Sequence, residues 1–166
     1  FYRALHDRYR DNPRVTTRQA LVTPENINRL FAEAGVPPDF DILSIDVDSI
    51  DYYLWEALDG FTPKMVIIEY NASIPPEQEY VVRYDLAVSL SGTSREGASI
   101  LSLCRLGRKK GYRLAYSELS GSNLFFVHDS CWPRLEGEEL TPAELYQPPQ
   151  FGLLAGGPAP SGRGYR

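Results

Sequence analysis

Cysteine, histidine and methionine are scarce in this chain of 166 residues, with two cysteines, two histidines and one methionine. Cys104 and Cys131 stand far apart and without metal-ligand spacing, so the sequence holds no disulfide framework. The bland expectation from this is a reducing compartment, with the cytoplasm as default location. His6 and His128 have no ligand partners at helical spacing. Basic residues are also short, 17 against 22 acidic ones for a net charge of −5. That balance argues against a general nucleic-acid binder, which needs a basic surface to neutralise phosphates. No apolar run approaches the roughly 20 residues needed to span a bilayer, and no charged-then-apolar signal opens the chain, so no membrane partner is expected. Glycine-rich phosphate loops and internal repeats are absent as well.

What is present suits one folded unit, with 43% hydrophobic and 12% aromatic residues available for a core. The chain opens at Phe1 in helix-like sequence, "FYRALHDRYRDNP", with no strand before it; this reads as a fragment. Residues 1–12 are predicted to be a helix ended by Asn12-Pro13, and "RVTTRQALV" a short β-branched strand. A helix follows, with Thr23 as cap, Pro24 at its first position, Ile27, Leu30, Phe31 and Ala34 at amphipathic spacing, and Gly35 at its end. The run 41–47 is apolar at nearly every position, as in a strand covered on both faces. Ser49 is a candidate cap for a short helix carrying Tyr52, Leu54, Trp55 and Leu58. "KMVIIEYNA" is a second apolar strand, and 72–96 reads as a long loop. A helix over about 97–110 turns Ile100, Leu103, Cys104 and Gly107 inward, and the Arg108-Lys109-Lys110 run reads as its solvated end. "YRLAYSEL" and "NLFFVHD", separated by "SGS", are predicted to form an antiparallel pair. Residues from about 146 onward are rich in proline and glycine and are expected to be disordered.

Alternation of strands and helices predicts an α/β fold, a mostly parallel sheet with helices on both faces and a final antiparallel strand. In such sheets ligands bind outside the carboxyl ends of the strands. Asp46, Asp48 and Asp51 end the first apolar strand, and Glu69 and Asn71 end the second. If the strands are neighbours, four carboxylates and an amide converge there. Such a cluster suits a hard cation such as Mg²⁺, with Asp46, Asp48 and Glu69 as ligands, or supplies a general base. Asp51 alone is more simply a first-turn partner of the helix dipole. Asp46, at the end of a buried strand, is expected to be buried and functional.

The segments "VTPENIN" (22–28), "DILSIDVDSIDYYLWEAL" (41–58), "PKMVIIEYNA" (63–72), "GASILSLCRLGRKKGY" (97–112) and "GSNLFFV" (121–127) resemble, in order and with fitting gaps, the C-terminal part of an FkbM-like methyltransferase domain. That family belongs to the class I S-adenosylmethionine-dependent methyltransferases. The resemblance covers about residues 13–130, leaving 131–166 as an extension. It implies a Rossmann-like sheet in which the strand at 41–47 is the fourth and that at 64–70 the fifth, side by side. It implies S-adenosylmethionine as cofactor and O-methylation of a small polar or sugar-like acceptor. Asp46 matches the position facing methyl transfer, and Asp48, Glu69 and Asn71 match the polar edge around the acceptor or a metal. Ala20 and Leu21 match the end of the third strand, where the adenine usually meets an apolar wall. The family's glycine-rich first loop, and the acidic residue that holds the ribose, have no counterpart in the sequence. Two other readings stand beside this one. The first is a non-catalytic binding or assembly module built on the same fold. The second is a metal-dependent phosphohydrolase or glycosyltransferase using Asp46-Val47-Asp48 as a DxD site.

Overall fold

The structure is a computed structural model and describes residues 2–84, 97–135 and 138–150. In chain order the elements are α1 (Tyr2–Tyr9), α2 (Ile27–Glu33), β1 (Ile42–Ile45), α3 (Asp51–Ala57), β2 (Met65–Glu69), α4 (Ile100–Lys109), β3 (Tyr112–Ser117), β4 (Asn123–His128), a 3₁₀ turn (Trp132–Arg134) and α5 (Pro142–Leu145). Among the described residues no helix is long and apolar enough to cross a membrane.

The four strands form one open sheet in the order β1-β2-β4-β3. β1 and β2 are parallel, with Leu43 beside Val66 and Ile45 beside Ile68, while β4 runs antiparallel to both β2 and β3. Three strands thus run one way and one runs back, an α/β arrangement. The antiparallel strand is last in sequence but sits inside the sheet, because the short turn after β3 folds β4 into the space between β3 and β2. A bulge between Leu114 and Tyr116 shifts the register of that hairpin.

β1 is not covered on both faces, as its apolar run suggested. Leu43 and Ile45 are buried, but Ile42 and Ser44 are exposed. The same alternation holds in β2, where Val66 and Ile68 are buried and Met65 and Ile67 only half-buried. All the core residues of α2, α3 and α4 join the cluster on the Leu43–Ile45–Val66–Ile68 face. Among the described residues, the core helices therefore cover one face rather than two. Near β3 the opposite face is capped locally by Trp132, whose ring lies 5.4 Å from the Arg113 guanidinium.

Trp55 of α3 is the centre of the core. It is 1% exposed and packs against Phe126 at 4.9 Å and Tyr112 at 5.7 Å between ring centroids. α4 approaches this cluster closely at Gly107, where a Cβ would stand 3.0 Å from the Phe126 ring and 3.1 Å from Trp55. Its first turn is capped by Ser99, whose hydroxyl accepts from Ser102 N–H (3.2 Å). At the other end Lys110 donates to the carbonyl oxygens of Leu58 (2.8 Å) and Glu56 (3.2 Å), and Arg108 pairs with Glu139. Arg108 and Lys110 thus tie the end of α4 to neighbouring segments.

Three local expectations are corrected. Residues 14–22 form no strand: no described strand lies beside them, and most of their side chains are exposed. The segment is tied to α2 by Arg18, which donates to the Glu33 carbonyl (2.6 Å) and carboxylate (3.2 Å). α2 begins later than Thr23, since Thr23–Asn26 is a turn in which the Asn26 side chain accepts from Thr23 N–H (2.9 Å) and donates to Leu21 O (2.9 Å). Residues 146–150 are placed, not disordered. Tyr146 Oη donates to Ala72 O (2.5 Å), Tyr70 Oη to Gln147 O (2.7 Å) and Gln150 N–H to Ser120 O (2.9 Å). Residues 151–166, and 85–96 of the long loop, lie outside the described residues.

Candidate functional site

The parallel pairing of β1 and β2 brings their carboxyl ends together. Ile45 and Ile68 are the last register partners, so Asp46 and Glu69 are the next residues along adjacent strands. Ladder alternation puts both on the face that none of the described core helices covers. Asp46 is exposed there, contrary to the burial expected of it, because it continues the Ile42–Ser44 side of β1. Glu69 is half-buried, opposite Asn123 of β4. Asp48 is exposed.

The buried carboxylate is Asp51. It is 2% exposed in the first turn of α3 and accepts the Val47 N–H (3.2 Å). Burial pushes its carboxyl up to about 6 from an ordinary 3.8, and the negative charges of Asp46 and Asp48 add to the rise. The amides of Asp51 and Val47 pull the other way. Asp51 is therefore more than a dipole partner: it folds the 46–51 turn back onto the end of β1. Sequence reasoning missed this, since the short spacing from Val47 to Asp51 fits an exposed first-turn acid equally well.

The turn is strained. Asp48 and Ser49 both have positive φ, 49° and 79°, in a region L-residues other than asparagine and aspartate seldom occupy. Ser49 does not cap α3; Ile50 holds that position. The Ser49 side chain points inward instead, 4% exposed, with no partner for its hydroxyl among the described residues. Nothing in the residue types announces this, because serine at such a position reads as a cap.

Asn71 belongs to a turn: its side-chain oxygen accepts from Ser73 N–H (3.0 Å), while its own N–H donates to Ala98 O (2.9 Å). Among the described residues no three histidine, cysteine, aspartate or glutamate side chains gather as a metal-holding group, so the Asp46–Asp48–Glu69 set does not present a formed Mg²⁺ site. Ala20 and Leu21 precede α2 and end no strand. Both are exposed, Leu21 by 68%, in the segment that forms no strand. Exposed as they are, Ala20 and Leu21 by themselves form no enclosed apolar wall for an adenine. A cleft of about 340 Å³ does occur, but between α4 and residues 139–142, lined by Leu101, Cys104, Arg105, Leu114 and Leu140, and it shares no residue with the carboxylate edge. Burial pushes the Cys104 thiol up to about 12, which keeps it unreactive.

What the edge can do chemically is accept a proton and orient polar groups. Compared with known protein families, curated proteins and solved structures, the chain finds no match.

Proposed function

We propose that this chain forms the acceptor side of an S-adenosylmethionine-dependent O-methyltransferase of Rossmann-like architecture, acting on a small polar or sugar-like molecule. The observation that carries the reading is the parallel adjacency of β1 and β2, which sets Asp46 beside Glu69 at the carboxyl edge of the sheet. In methyl transfer to a hydroxyl, the protein chiefly orients the acceptor and takes up its proton. Asp46, exposed at that edge, is the proton acceptor in this proposal, with Asp48 and Glu69 holding the acceptor's other polar groups. Asp51 acts as a positioning residue through the Val47 N–H. The cofactor's adenine would be held by groups other than those described.

The test is transfer of labelled methyl from S-adenosylmethionine to a panel of sugars and small alcohols by the full-length protein. Asp46→Asn is expected to lower kcat about 100-fold while leaving cofactor affinity unchanged. An unchanged rate in that variant removes Asp46 from the chemistry. A protein that binds the cofactor and methylates no oxygen nucleophile sinks the reading as a whole.

A non-catalytic binding or assembly module is the second reading, favoured by the exposure of Ala20 and Leu21 and by the sheet face that no described helix covers. A cooperatively folded chain that gives no heat of binding with S-adenosylmethionine is the outcome expected of it.

A further inference from the structure

Two helices of this chain begin on a hydroxyl cap. Ser99 opens α4 with φ −71° and ψ 157° and accepts from Ser102 N–H (3.2 Å). Thr141 opens α5 with φ −75° and ψ 160° and accepts from Glu144 N–H (3.3 Å). Extended backbone at the cap, with the hydroxyl turned to the third helical residue, satisfies an N–H that the helix itself leaves open. α3 departs from this pattern. Ile50 holds its cap position with no side-chain bond, and the nearest hydroxyl lies one residue earlier, on Ser49.

Little separates α3 from a start at Ser49. Ile50 has φ −99° and ψ 8°, near enough to helical values to join as the first helical residue. Tyr52 would then be the third, the spacing that Ser99 and Thr141 already use. What must change is Ser49, whose φ of 79° is left-handed rather than extended, and with it the turn through Asp48 at 49°. Ser49 would shed its backbone strain, and its buried hydroxyl, without a partner among the described residues, would gain an N–H. Against the change stand the bonds of the folded-back turn, Val47 N–H to the Asp51 carboxylate (3.2 Å) and Ile50 N–H to Asp48 O (3.1 Å).

We propose that the 46–51 turn has two states, the folded-back one described and one in which Ser49 caps α3, and that Ser49 is thereby a positioning residue for Asp46. In the folded-back state the Asp51–Val47 bond holds the residue next to Asp46 against the end of β1. In the capped state Val47 N–H is released, and Asp46 is no longer fixed beside Glu69. An acceptor held by Asp46 and Glu69 favours the folded-back state, because it binds that arrangement better. This control of Asp46 rests on the methyl-transfer reading above, whereas the two states of the turn do not.

Two substitutions at one position push the turn in opposite directions. Ser49→Gly accepts the left-handed backbone and offers no cap, so it favours the folded-back state. Ser49→Thr keeps a capping hydroxyl, but its branched Cβ opposes a φ of 79°. Amide hydrogen exchange in the full-length protein reads the result. Val47 N–H is expected to exchange about ten-fold more slowly in the glycine variant than in the threonine variant, and Tyr52 N–H about ten-fold more slowly in the threonine variant. A merely destabilising substitution would speed both. Should the threonine variant fail to fold, relaxation dispersion at the backbone amides of the parent decides, with exchange expected at Val47, Ser49 and Tyr52. Amides that move together, or no dispersion at any of the three, overturn the two states. Methyl transfer by the threonine variant is expected to be about ten-fold slower than by the glycine variant. Equal rates despite opposite amide shifts overturn the control of Asp46. A parent that methylates nothing, with the amide shifts intact, sinks the methyl-transfer reading and leaves the two states standing.

Discussion

Two ends of the same sheet edge are built on opposite terms. Where β2 and β3 finish, polar groups are saturated. Tyr70 Oη donates to Gln147 O (2.7 Å) and lies 3.2 Å from Ser117 Oγ and 3.3 Å from Gln147 N–H, which leaves it accepting from both. Around it Ser120 and Ser122 pair through their hydroxyls (3.0 Å), and Asn123 donates to Glu118 (3.0 Å). Where β1 finishes, a few residues away across the sheet, two non-glycine residues are left-handed, a buried hydroxyl lacks a partner among the described residues and a carboxyl is buried with its protonation shifted. Strain of this kind costs about 1–3 kcal/mol per residue and persists only where neighbouring packing holds it. Here the holding groups are Leu54 and Trp55, which anchor α3 in the core. The saturated end is scaffold. The strained end is the one that presents Asp46 and Asp48.

The largest effect should come from disturbing the saturated end. Gly121 has φ of 75°, and a Cβ there would lie 2.8 Å from Pro148 O and 2.9 Å from Gln147 O. Gly121→Ala combines left-handed strain with overpacking against backbone, and a loss of about 2–4 kcal/mol is expected in denaturant unfolding. Faster exchange of the Gln150 amide should accompany it; a variant as stable as the parent would show that residues 146–150 are not bound as described.

At the strained end the effect depends on pH. Asp51 has a folded pKa raised from 3.8 to about 6, so between those values the folded protein keeps a proton that the unfolded chain releases. Its contribution is fully present below pH 3.8 and is lost as pH rises through about 6, a difference of about 3 kcal/mol. Asp51→Asn keeps an acceptor for Val47 N–H and should flatten this part of the stability–pH curve, raising stability at pH 7 relative to the parent. Asp51→Ala leaves that N–H without its partner and should cost about 1–3 kcal/mol instead. Identical pH profiles for parent and asparagine variant would contradict the burial of Asp51.

The smallest effect is expected at Ser49. Ser49→Gly relieves a φ of 79° and deletes the unpaired hydroxyl, and stabilisation of about 1 kcal/mol should appear as a higher Tm. Destabilisation would mean that the serine hydroxyl has a partner in solution and that the two ends of the edge differ less than described.

Much of this architecture was legible in the residues. Apolar runs at 42–45 and 65–69, helical spacing through Ile100, Leu103 and Gly107, and the short "SGS" link announced β1, β2, α4 and the β3–β4 hairpin, because each depends on neighbours in sequence. The placing of carboxylates at the ends of β1 and β2 was legible for the same reason. Other features were decided by contacts between distant segments. Whether 14–22 becomes a strand depends on a pairing partner, and here Arg18 finds Glu33 in its place. An apolar run tells that a strand is buried but not on how many sides, and α2, α3 and α4 all gather on one. The exchange of roles between Asp46 and Asp51 follows from that: ladder alternation carries Asp46 to the open face, while the first turn of α3 presses Asp51 inward. Local sequence sets periodicity; only tertiary packing decides which face of the period finds cover, and with it which carboxylate meets solvent.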